Sequence, residues 1–150
     1  MRHRLLPGRA ALMALALAPA ALALADEVAR FRPLDIIVDV GDRQLAAYQI
    51  ELVVRSGDAT IVGVEGGEPA AFKAAPYYDP AALAGGRIVI AAYSTDDPLP
   101  SGRVRVATLH MRELGEAPRY QVKVLAAASG DGQPLSIAVE VQPRTTGGER

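Results

Sequence analysis

Residues 45–55 alternate between apolar and polar side chains with a period of two, which restricts this segment to a half-buried β-strand. The apolar side chains of one parity are Ala46, Tyr48, Ile50, Leu52 and Val54. The other parity includes Gln49, Glu51 and Arg55. Since successive side chains of a strand point to opposite faces, we expect the first set to face a core and Glu51 to lie at the surface.

Six further segments carry strand patterns, and none carries the pattern of a long amphipathic helix. They are 34–40, 60–65, 87–94, 104–111, 120–125 and 135–142. Residues typical of turns separate several of them, at 41–42, 56–58 and 129–132. Within 104–111 the apolar parity changes, which predicts a β-bulge near Val106.

The segment 68–86 is rich in proline and glycine and predicts a long loop. Asp79 is placed to cap one helical turn at 80–83. Two antiparallel sheets packed face to face are the simplest way to bury one face of every strand. We therefore predict an all-β, jelly-roll-like sandwich of about seven to nine strands over 26–142, followed by a flexible tail at 143–150.

The N-terminus has the pattern of a secretory signal peptide. Three arginines and no acid occur in 1–9, and an uncharged stretch rich in alanine and leucine follows at 10–25. This stretch ends in Ala-Leu-Ala and is shorter than the roughly 20 residues of a membrane-spanning helix. We expect cleavage before Asp26 and export to the periplasm or the extracellular space; the alternative is an uncleaved membrane anchor.

Composition excludes several kinds of chemistry. The chain has no Cys, which excludes disulfides, thiol catalysis and thiolate metal sites. A net charge of −1 argues against nucleic acid as a partner. His110 would be the one histidine left after cleavage, and no partnered catalytic motif accompanies it. Asp96, Asp97 and Asp131 could hold calcium, but no calcium-loop motif accompanies them, so we predict no metal site. Without a partnered catalytic motif we also predict no enzyme and no cofactor.

Four short sequences follow one another along the chain: AYQIEL at 47–52, VGVEGG at 62–67, RIVIAAYST at 87–95 and GRVRVATL at 102–109. In this order they resemble the strand motifs of cohesin-type domains. The resemblance implies a β-sandwich, a fold that cohesins share with several carbohydrate-binding modules, and a sheet face that contacts a partner. One string departs from the family pattern: YDPAAL at 78–83 lies within the long loop instead of after the first long strand.

Aromatic and arginine side chains near the long loop are the candidate binding residues. They are Phe72, Tyr77, Tyr78, Tyr93, Arg87 and Arg103. Large loop aromatics either pin a loop to the core or present a contact surface, and the sequence leaves both roles open.

We expect a non-catalytic binding module, cohesin-like, that contacts another exported protein (dockerin-like or an envelope component) or a polysaccharide, with no membrane span after cleavage. The alternative is a structural or assembly domain of the cell envelope with no discrete ligand.

Overall fold

The computed structural model describes residues 27–144, which form one antiparallel sheet. Its strands are β1 (Arg30–Asp39), β2 (Ala47–Gly66), β3 (Arg87–Tyr93), β4 (Arg103–Ala128) and β5 (Ala138–Pro143), in the spatial order β3-β2-β4-β1-β5. Two short 3-10 helices, Ala70–Phe72 and Pro80–Ala82, interrupt the loop between β2 and β3. The prediction of an antiparallel all-β fold is confirmed.

The number of strands is smaller than predicted, because two pairs of predicted strands are continuous. β2 contains both 45–55 and 60–65, and β4 contains both 104–111 and 120–125. The predicted turn at 56–58 is therefore wrong. Gly57 has a φ of +84°, and a side chain there would meet the Cα of Pro118 at 2.8 Å. The glycine thus serves irregular pairing with β4, with register shifts on both sides of Ser56, and not a reversal of the chain.

The β-bulge predicted near Val106 is confirmed. Ile36 of β1 lies opposite Ala107, and the next residue, Ile37, lies opposite Arg105, so Val106 has no partner on β1. The extra residue lets two consecutive side chains, Val106 and Ala107, both be fully buried.

The core-facing parity of β2 is confirmed, since Tyr48, Ile50 and Leu52 are at most 3 % exposed. The surface position predicted for Glu51 is wrong, because this carboxylate is buried on the opposite face of the strand. Cationic side chains from the two neighbouring strands cover it there.

The long β2–β4 ribbon is bent back on itself. The Tyr48 hydroxyl donates a hydrogen bond to the carbonyl oxygen of Val106 at 3.2 Å. Along the ribbon, however, Tyr48 pairs with Ala127, and Ala107 pairs with Gly66 at the far end of β2. At about 3.3 Å per residue, a straight ribbon would hold these two ends tens of Å apart. The contact therefore requires the ribbon to fold over, and this fold encloses the core.

The loop between β2 and β3 is held to the core by one buried side chain and ordered within itself by a cap. Phe72 is 2 % exposed and packs edge-on against Tyr48, with ring centroids 5.2 Å apart. The Asp79 side chain accepts a hydrogen bond from the backbone N–H of Ala81 at 2.9 Å, which confirms the predicted cap of a helical turn.

The last described residue of the chain, Arg144, is tied to β1. Arg144 donates from its backbone to the Pro33 carbonyl, and its side chain binds Asp35. The predicted signal peptide at 1–25 and residues 145–150 of the predicted tail lie outside the described residues. Within 27–144, no helix is long and apolar enough to cross a membrane.

Candidate binding surface

β3 forms one edge of the sheet, and among residues 27–144 only β2 pairs with it along its whole length. In an antiparallel pair, the backbone groups of successive residues point alternately toward the partner strand and away from it. The backbone N–H of Val54 donates to the Gly86 carbonyl, and the backbone N–H of Ser94 donates to the Ala46 carbonyl. The even-numbered residues of β3 therefore direct their backbone groups toward β2. Residues 87, 89, 91 and 93 therefore direct theirs away from the sheet.

A single residue of the preceding loop uses this outer edge. The backbone N–H of Tyr77 donates to the Ala91 carbonyl at 2.8 Å, and the backbone carbonyl of Tyr77 accepts from the Ala91 N–H at 2.9 Å. The two bonds form an isolated antiparallel bridge. These two hydrogen bonds fix the backbone of Tyr77 against the edge of β3.

Tyr77 and Tyr93 share the outer face of the sheet. Tyr77 lies opposite Ala91, and Tyr93 follows Ala91 by two residues, so the two tyrosines are diagonal neighbours with Cα atoms roughly 7–8 Å apart. Their side chains are 71 % and 70 % exposed. Large aromatic side chains held this far into solvent by paired backbone are typical of contact surfaces.

Small side chains form the floor next to the tyrosines. Tyr93 pairs with Ala47, which in turn pairs with Ala128, and a shallow depression of 230 Å³ lies over this part of β2 and β4. Its lining consists of Ala47, Tyr48, Gln49, Ala126, Ala127 and Ala128, none of which carries a charge. We call the surface formed by Tyr77, Tyr93, Ala47, Gln49, Ala91, Ala126 and Ala128 the tyrosine face.

The six predicted binding residues do not lie together. Tyr77, Tyr93 and Arg87 lie on the outer face of β3 or its bridge. Phe72 is buried and Tyr78 packs partly against the core, so these two pin the loop. Arg103 lies at the start of β4 and binds Glu140 of β5, which forms the other edge of the sheet. The two roles considered for the loop aromatics are thus divided between different residues.

A charged triad of Glu51, Arg87 and Lys123 lies on the same outer face, beyond the tyrosine face. Glu51 of β2 accepts from Arg87 Nε at 2.7 Å and lies 3.0 Å from Lys123 Nζ of β4. The hydrogen bond from Lys123, together with that from Arg87, holds the pKa of Glu51 below its ordinary value. The triad joins three adjacent strands and leaves the two cations more than half exposed.

A second polar network lies around Asp35. Its carboxylate accepts hydrogen bonds from Arg144 and from the buried Thr108 hydroxyl. Desolvation raises the pKa of Asp35, but the hydrogen bonds from Arg144 and Thr108 outweigh it and leave the pKa below the ordinary value. The network fastens the last described residue of the chain to β1 and β4.

Residues considered for catalysis or metal binding are placed apart. His110 Nε2 lies 3.2 Å from Glu65 Oε2 in a partly exposed surface pair. Asp96 and Asp97 are exposed, and Asp131 accepts from the nearby Ser129 hydroxyl. Among residues 27–144, no three His, Cys, Asp or Glu side chains are grouped so as to hold a metal ion.

The sequence carries no local signal for the burial of Glu51 between two cations or for the outer edge of β3. The alternation in β2 correctly assigned Glu51 to the outer face, but its cationic neighbours come from strands distant in sequence. The edge position of β3 depends on the order of strands, which has no local sequence signal.

Comparisons with protein-family models, curated proteins and solved structures find no match for this chain.

Proposed function

We propose that this chain is an exported, non-catalytic binding module that contacts another exported protein or a glycan through the tyrosine face. The observation that carries the proposal is the exposure of Tyr77 and Tyr93, at 71 % and 70 %, on one face of a paired strand edge. Tyrosine offers a large, rigid apolar ring and a hydroxyl at little cost in conformational entropy. Export is inferred from the N-terminal sequence pattern.

The finer architecture belongs to the same proposal. We infer that the bent sheet is a two-layer, jelly-roll-like sandwich of the cohesin type. The Tyr48–Val106 hydrogen bond between distant parts of the ribbon supports two facing layers. Buried side chains of β1, β2, β3 and β4 form one cluster, as expected of two inner faces packed together. The outer face of one layer would then be the tyrosine face.

Capture by the purified protein tests the proposed function. Wild type, a Tyr77→Ser/Tyr93→Ser variant and a Phe31→Ser control would be immobilised and exposed to envelope extract and to insoluble polysaccharides. Phe31 is also 71 % exposed but lies on β1 outside the tyrosine face, so its variant controls for the loss of an exposed aromatic ring elsewhere on the protein.

We expect the double variant to lose a partner that wild type and control both retain, with melting temperatures unchanged. Each recovered protein would be purified and tested again alone. Equal capture by all three proteins would contradict the tyrosine face as the contact surface. No capture of any protein or polysaccharide would favour a structural or assembly domain of the envelope.

A further inference from the structure

The outer edge of β3 offers backbone hydrogen-bonding groups beyond those that Tyr77 uses. The alternation of β2–β3 pairing directs the N–H and C=O groups of Arg87 and Val89 away from β2. Within the described part of the chain, neither residue has a backbone hydrogen bond on that side. The sheet edge is thus paired at Ala91 and open at the two preceding outward positions.

The loop leaves the edge directly after Tyr77. If the pairing continued, Asp79 would come opposite Val89, but Asp79 instead caps the 3-10 helix Pro80–Ala82. The two segments diverge around a cavity of 340 Å³. Asp79, Ala81 and Ala82 line one side of this cavity, and Arg87, Ile88 and Val89 line the other. We call this space the edge groove.

The walls of the groove indicate what can occupy it. The Asp79 carboxylate is engaged by the Ala81 N–H, and the Arg87 guanidinium is engaged by Glu51. A visiting molecule therefore meets mainly backbone groups, alanine methyl groups and the Val89 side chain. The outward N–H and C=O groups recur at every second residue, roughly 6.6 Å apart, and an extended peptide repeats its own groups at the same interval.

We propose that the edge groove binds an extended peptide segment of a partner protein, which adds to β3 as a further strand beside Arg87 and Val89. The segment pairs in the antiparallel sense that Tyr77 already uses at Ala91. An open strand edge is a ready template for such addition, and the main-chain hydrogen bonds supply the affinity. The inference rests on the proposed binding function and specifies the chemistry of the partner.

A proline at position 89 tests this mode of binding. The N–H of Val89 points away from β2, so Val89→Pro removes a donor from the groove without removing a β2–β3 hydrogen bond. Val89→Thr keeps the N–H and the branched side chain and serves as the matched control. The probe is a phage-displayed library of random linear peptides, selected on the wild-type protein.

We expect selected peptides to bind wild type and Val89→Thr alike and to lose about tenfold or more in affinity for Val89→Pro, the loss expected for at least one hydrogen bond. Peptide binding to wild type should also slow amide hydrogen exchange at Val89. This second measurement does not depend on the proline variant folding. Selection of no peptide, peptides indifferent to proline, or unchanged exchange at Val89 would each overturn the inference.

Three further outcomes distinguish a partner peptide from a second copy of this chain, and this inference from the proposed function. Self-association of the protein that Val89→Pro abolishes would overturn the assignment to a partner peptide in favour of a second copy. Capture that depends on Tyr77 and Tyr93 while no peptide binds the groove would overturn this inference and leave the proposed function standing. Peptide binding that survives the double tyrosine variant supports the groove even if the tyrosine face fails its own test.

Discussion

The hydroxyl of Tyr48 donates to the carbonyl of Val106, joining the start of β2 to the bulge in β4. Burial raises the pKa of Tyr48 further above physiological pH, at which an ordinary tyrosine hydroxyl is already a neutral donor. The Val106 carbonyl belongs to the one residue that the bulge leaves without a partner on β1. The bond therefore joins the start of β2 to the β-bulge in β4 across the bend of the ribbon.

Tyr48→Phe should lower the free energy of unfolding by about 1–3 kcal/mol, because a buried carbonyl loses its donor while the ring is retained. Urea denaturation of both proteins would measure the difference. Tyr93→Phe is the control for loss of a hydroxyl, because the Tyr93 side chain is 70 % exposed. A Tyr48→Phe protein as stable as wild type would contradict a role for this bond in holding the bend.

Phe72→Ala and Tyr77→Ala should separate the two roles of the loop. Phe72 is buried against Tyr48, so its truncation should cost about 3–5 kcal/mol of unfolding free energy. Tyr77→Ala should cost under about 0.5 kcal/mol, because its side chain is largely exposed and its backbone bonds remain. Chemical denaturation measures both. Equal losses of unfolding free energy in the two variants would contradict the assignment of Phe72 to the core and of Tyr77 to the exposed surface.

Leu52→Ala should cost about 2–5 kcal/mol, because Leu52 is 1 % exposed in the core. Leu52→Ile is the control, because it keeps the buried volume and should lower the free energy of unfolding by less than about 1.5 kcal/mol. The measurement is equilibrium unfolding in urea. A small cost at Leu52→Ala would place the core on the other face of β2.

Glu51→Ala should lower the melting temperature more than Gln49→Ala does, although both residues lie on the outer face of β2. The change leaves Arg87 and Lys123 facing each other without the carboxylate between them. The difference between the two variants should narrow in 1 M salt, at which charges are screened within about 3 Å. Matching melting temperatures at low salt would show that the triad adds nothing to stability.

The lowered pKa of Asp35 predicts a loss of stability in acid. Because the folded protein holds this carboxylate ionised below its ordinary pKa of 3.8, the unfolded chain takes up the proton first as pH falls. The stabilisation is thus present above the ordinary pKa and is lost as pH falls below it toward the folded-state pKa. Asp35→Asn should lose less stability than wild type between pH 6 and pH 3, measured by thermal unfolding. Parallel losses would contradict the contribution of Asp35.

Local sequence patterns predicted much of the fold because side-chain alternation reports directly on which face of a strand is buried. This alternation places Tyr48, Ile50 and Leu52 in the core, and the change of parity in 104–111 predicts the bulge that the structure has at Val106. The cap at Asp79 was equally local, since its acceptor and donor lie two residues apart.

Tertiary structure decided the features that depend on segments distant in sequence. The Ser-Gly-Asp segment at 56–58 has the composition of a turn, yet it stays in β2 because β4 pairs with it through bulges. Glu51 is buried because Arg87 and Lys123 reach it from separate strands. Tyr77 and Tyr78 are adjacent in sequence, but the bridge to Ala91 holds the first on the outer face while the second packs toward the core. The periodicity of the sequence determines which face of a strand is apolar. The order of the strands in the sheet determines which residues contact that face and each strand edge.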